Sequence, residues 1–178
     1  MAGNGLNFHH HGGLQMSEVL IHEVKLLDGI IGVTYELLSA DIKANSFVRG
    51  ELSPSFREAL NALLDYVIDI CFLERKRWSE AEVTGVVFKR LDGDDRDVEY
   101  KITAKNHASQ TLSPIVITTP YLEAFVISEG LQEKLDLVQA EAQAFVAQKR
   151  EERKRNPHQL KGCSASEIRQ RIGTDTRG

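Results

Sequence analysis

The residues with the strongest claim to chemistry in this 178-residue chain are cationic and gather at its end. From position 149 onward, Lys149, Arg150, Arg153, Lys154, Arg155, Lys161, Arg169, Arg171 and Arg177 stand against Glu151, Glu152, Glu167 and Asp175, a net charge of +5. Positions 1–148 carry the opposite balance, a net −9. Lysine and arginine beside a polyanion release its counterions, so what this segment offers is attraction to phosphate. The eight from Lys149 to Arg171 are the candidate nucleic-acid contacts. The plain alternative is a solvated, charged end.

A second polar group consists of Asn106, His107, Ser109 and Gln110, with Thr118 and Thr119 close by along the chain. Amide, imidazole and hydroxyl groups supply donors and acceptors for an anion or for the edge of a base. This makes them the candidate site for a nucleotide-like small molecule. A surface loop between two strands has the same composition.

Other chemistry is poorly supported. The sequence holds no phosphate-binding or dinucleotide glycine motif, no G-x-S-x-G nucleophile elbow and no H-E-x-x-H zinc motif. His9, His10 and His11 are adjacent in a glycine-rich stretch, which cannot preset a tetrahedral metal shell. The acidic run through Asp92, Asp94, Asp95 and Asp97 suggests calcium, but Asp97 occupies the place of the loop glycine and Thr103 that of the final acid. Two cysteines, Cys71 and Cys163, are too few for a disulfide framework and suit a reducing compartment. The expectation is a protein without catalytic residues, metal or cofactor.

The elements that must position these residues are legible from periodicity. Hydrophobic residues make up 42% of the chain and charged residues 27%, as in ordinary globular proteins. No apolar run is long enough for a membrane helix, and no charged start leads into a leader-like stretch. Positions 1–17 read as a flexible arm, 18–150 as one α+β domain and 151–178 as a basic tail.

Asp28-Gly29 predicts a two-residue hairpin turn within 18–38, with Val24 facing Val33 and His22 facing Tyr35. His22 is then a packed, hydrogen-bonded residue at the edge of the apolar face. A polar connection follows. Ser53-Pro54 opens a helix whose apolar residues Phe56, Leu60, Leu63, Leu64, Val67, Ile68 and Cys71 step by three and four. Strands are expected at 83–89, 98–105 and 115–119, with Gly85 marking a bulge or a close backbone approach.

The last long helix spans 128–155. Its seam of Leu131, Leu135, Val138, Ala142 and Phe145 either packs on its own sheet or joins two copies. A short helix at 164–172 completes the reading. The order β-β-α-β-β-β-α predicts an antiparallel sheet of about five strands with two main helices on one face.

Five segments together resemble a group of small, uncharacterised α+β proteins encoded by bacteriophages and prophages. They are Glu23-Val24-Lys25-Leu26-Leu27-Asp28-Gly29, the Ser53-Pro54 helix, Val83-Thr84-Gly85, Ile117-Thr118-Thr119-Pro120-Tyr121-Leu122, and Leu131-Gln132-Glu133-Lys134-Leu135. The resemblance covers about residues 20–150. The chain departs from it in its N-terminal residues and its basic tail. It implies an accessory role in infection, in the cytoplasm of a bacterial host cell, and brings no catalytic residues.

Joined to the charge pattern, it gives the leading expectation of a non-enzymatic, homo-oligomeric accessory protein. Its partner would be nucleic acid, or a host protein or other part of the nucleic-acid machinery of the host or phage. The alternatives are a sequestering protein for a nucleotide immune signal, counteracting host defence, and an enzyme of unknown type.

Overall fold

The computed structural model describes residues 19–38, 45–91, 98–107 and 114–156. The chain begins with the expected hairpin. β1 (Val19–Leu27) pairs antiparallel with β2 (Ile30–Leu37), and Leu27 faces Ile30, Leu26 faces Ile31 and Val24 faces Val33. Asp28 and Gly29 both have positive φ, 51° and 78°, as a type I′ turn requires. No neighbouring atom crowds a Cβ placed at Gly29, so only the backbone demands glycine there. Gly29→Val is expected to destabilise the fold by about 1 kcal/mol or more through left-handed strain on a β-branched residue. An unchanged denaturant midpoint would contradict this turn.

The hairpin departs from the predicted register at one point. A bulge lies between Ile21 and Glu23, so Ile21, not His22, faces Tyr35. The extra residue resets the alternation of faces. Ile21 thereby reaches the core at 2% exposure, and the imidazole leaves it. His22 Nε2 stands 3.4 Å from Glu36 Oε2 and makes no hydrogen bond, contrary to the expectation of a hydrogen-bonded histidine.

The stretch read as a polar connection contains a strand, β3 (Ser46–Glu51), paired antiparallel with β2. It buries only Val48, so it lacks the alternation that announces a half-buried strand. The sheet then continues through β4 (Glu82–Arg90), β5 (Val98–Asn106), β6 (Ile115–Thr118) and β7 (Leu122–Glu123). Its order is β3-β2-β1-β4-β5-β6, with β7 also on β5 and every pairing antiparallel. Among the described residues there are therefore seven strands rather than five, the two additions being the edge strand β3 and the two-residue β7.

A second bulge, between Val83 and Gly85, explains why β4 has apolar residues at both parities. Across it Val83, Val86 and Phe88 all reach the core face, opposite Ala104, Ile102 and Tyr100.

The helical segment after Ser53 is not one helix. α1 (Pro54–Asn61) is capped by Ser53, whose side chain accepts from Phe56 N at 3.2 Å. α2 (Leu64–Ile70) follows a tightened turn in which Leu63 N donates to Leu60 O at 3.1 Å, a three-residue step. That step rotates the next turn, so Leu63 is fully buried while Leu64 is half-buried. Cys71 ends α2 half-buried, and burial pushes its thiol up, which leaves it a poor nucleophile.

After the short α3 (Arg75–Trp78) and strands β4 to β7, α4 (Glu129–Arg155) crosses the sheet. It packs against α1 and β1, and α1 packs against β4. Leu131, Leu135, Val138, Ala142 and Phe145 are all buried within the single chain, so the heptad seam closes the chain's own core. No helix among the described residues is long and apolar enough to cross a membrane.

Candidate nucleic-acid interface

The basic cluster begins on a rigid element. Ser128 caps α4 by accepting from Leu131 N at 3.3 Å, and the helix runs unbroken past residue 150 to Arg155. It buries Phe145 and Val146 and no residue beyond. Lys149 and Arg150 are still half-buried, and from Glu151 on every residue is exposed, so 151–155 project about 7 Å at the helical rise of 1.5 Å per residue. Among the described residues none of 151–155 is buried. Arg153, Lys154 and Arg155 in the final turn instead complement the negative end of the helix dipole.

The five cations of this arm are not equivalent. Lys149 packs on the fold: its stem lies over Gly50, where a Cβ would come within 2.7 Å of Lys149 Cε and 3.1 Å of Phe145 Cζ. Its ammonium lies 5.9 Å from the centre of the Phe145 ring and 2.7 Å from Glu152 Oε2. Lys154 pairs with Glu151 at 2.6 Å. Glu151 is held below the usual carboxylate range by its hydrogen bond to Lys154 and by the charges of Lys154, Arg155 and Arg150. Glu152 is held down by hydrogen bonds from Lys149 and Gln148. Both carboxylates are therefore ionised at neutral pH, and each occupies a lysine. Arg150, Arg153 and Arg155 make no ion pair among the described residues.

A groove of about 760 Å³ runs beside the base of the arm, between α4 and the start of α1. Glu141 lines it and accepts from Ser55 Oγ at 2.9 Å. A carboxylate there repels phosphate, so the surface suited to a polyanion is the outside of the helix end. Lys161, Arg169 and Arg171 lie outside the described residues.

The described members of the second group each take a partner within the fold. Asn106 is buried at the end of β5, and its side-chain amide donates to Arg77 O at 2.6 Å. Thr119 is buried, and its hydroxyl accepts from Ile102 N at 3.0 Å, satisfying a backbone donor next to the sheet. Thr118 meets Thr103 hydroxyl to hydroxyl at 3.3 Å, and His107 Nε2 lies 3.0 Å from Glu82 Oε1. Asn106 pairs with Ile115 and Thr103 with Thr118, so Asn106 and Thr118 lie three ladder positions apart, about 10 Å. Ser109 and Gln110 lie outside the described residues, as do the histidine triplet and the acidic run at 92–97. Among the described residues no three of His, Cys, Asp and Glu come together as metal ligands would.

No family model matches the chain, and neither a curated protein nor a solved structure matches it significantly.

Proposed function

We propose that this chain is a non-enzymatic accessory protein, of the phage type its motifs resemble, that holds nucleic acid on the projecting basic end of α4. One observation carries the reading. Among the described residues Arg150, Arg153 and Arg155 have no ion-pair partner, and they stand on a helix end with no fully buried residue after Val146. Such an arm contributes little to the core, and its charge is arranged for an external polyanion. Phosphate contacts position without reading bases, so the binding is expected to show little sequence preference. The sequestering alternative is less well supported, because Asn106 and Thr119 already spend their side chains on backbone partners.

The test is fluorescence anisotropy with labelled oligonucleotides over a range of salt. Three free arginines predict a slope of log K against log[salt] of about −2.7 on duplex DNA and about −2.1 on single strands. Replacing Arg150, Arg153 and Arg155 together by alanine is expected to remove most of the binding and leave the thermal midpoint within about 2 °C, because Arg153 and Arg155 are exposed and the half-buried Arg150 makes no ion pair among the described residues. No binding at low salt, or equal binding by the triple variant, would overturn the proposal.

A further inference from the structure

At the opposite end of α4, apolar side chains stand in solvent around a groove. Tyr121 is 45% exposed, Phe125 81% and Val126 71%. Scattered exposed apolar residues are ordinary, but neighbours on one short segment facing a concavity are a mark of contact surfaces. The concavity measures about 400 Å³ and separates α2 from the segment 121–128. Its apolar lining comes from Tyr66, Ile70, Leu122, Val126, Ile127 and Leu131.

The charged side chains that line it are both acidic. Asp69 and Glu123 line the groove, and no lysine, arginine or histidine does. Asp69 already takes a guanidinium: Arg75 reaches its two oxygens at 2.7 and 2.9 Å. Glu123 makes no ion pair among the described residues. It also lies directly across the ladder from Glu99, and like charges in that relation are unfavourable. Lys89 neutralises Glu99 at 2.8 Å. Lys89 and Lys101 stand 4.9 and 5.1 Å from the centre of the Tyr121 ring, and neither lines the groove. One carboxylate on an apolar rim is thus left for a cation from outside.

We propose that this groove docks an amphipathic segment of a partner polypeptide, with a bulky apolar side chain in the concavity and a lysine or arginine against Glu123. A second copy meeting it through the same patch is disfavoured, because an isologous contact must be self-complementary and two concave, acidic rims are not. α4 is 27 residues long, about 40 Å, so the groove and the basic arm lie at its two ends. The chain then joins a nucleic acid to a protein.

The probe is a displayed library of random 12-residue peptides, selected on the full chain. Enriched peptides are expected to combine an aromatic or aliphatic anchor with Lys or Arg. Val126→Asp should weaken them at least tenfold, and Glu123→Lys at least fivefold, both at exposed positions where the fold is unaffected by circular dichroism. Enrichment of acidic or uncharged peptides would overturn the proposal, as would equal binding by both variants. So would no enrichment at all, or self-association of the wild type that Val126→Asp abolishes.

Discussion

Replacing Leu135 by glutamate is expected to leave no folded protein. Leu135 is fully buried on α4, between Leu131 and Val138 in the row that faces the chain's own sheet and α1. Loss of a buried leucine costs about 2–5 kcal/mol. An unpaired carboxylate in the same place adds several more, or must take up a proton to remain there. Together these approach the roughly 5–15 kcal/mol that holds a domain of this size folded. Leu137→Glu is the control, because Leu137 lies on the same helix at 45% exposure and should tolerate the charge. Circular dichroism and light scattering check both variants. A folded, soluble Leu135→Glu monomer derived from a larger wild-type assembly would mean that the seam joins two copies. That result would overturn the packing described here.

The second large effect concerns the basic arm. Glu151→Gln with Glu152→Gln is expected to strengthen nucleic-acid binding and steepen its dependence on salt. The two carboxylates hold Lys154 and Lys149 at 2.6 and 2.7 Å. Neutral amides release both lysines, and five cations in place of three change the duplex slope from about −2.7 to about −4.5. Between about 50 and 200 mM salt the loss of affinity then grows from roughly 40-fold to roughly 500-fold. Acid acts in the same direction. Both carboxyls titrate below their ordinary range, so the two ion pairs persist down through that range and open only as the pH falls further. An unchanged slope in the double variant would show that Lys149 and Lys154 do not reach phosphate even when free.

Lys149 defines how far the charge pattern alone carries. All five cations of the arm have equal weight in the sequence, because net charge is a sum over residue types. The fold makes them unequal. Lys149 is drawn onto Phe145, one turn back on its own helix, and onto Gly50, which lies on a strand far away in the chain. Asn106 and Thr119 show the same limit. Their side chains have the right chemistry for a ligand, but Arg77 O and Ile102 N take it up. The groove at Tyr121 has no local signature, since Tyr66, Glu123 and Leu131 come from three elements.

What the sequence by itself determined is what short-range free energies decide. Asp28-Gly29 fixes a turn whose positive φ values few other pairs adopt, and the turn fixes the register of the first pairs on either side. Ser53 and Ser128 fix where two helices begin, because a side-chain oxygen at the cap satisfies a backbone donor that would otherwise be unpaired. The three-and-four spacing from Leu131 to Phe145 fixes which face of α4 is buried. Tertiary structure alone decided the rest. The bulges at His22 and Thr84 shift parity because the apolar residues must meet one common face, and that face exists only once β1 lies against β4. β3 is a strand because β2 offers it an open edge, since its own residues bury too little to announce it. The ends of α4 differ for the same reason. One end borders a groove and the other runs into solvent, because the last residue that α4 buries is Val146, nine short of its end.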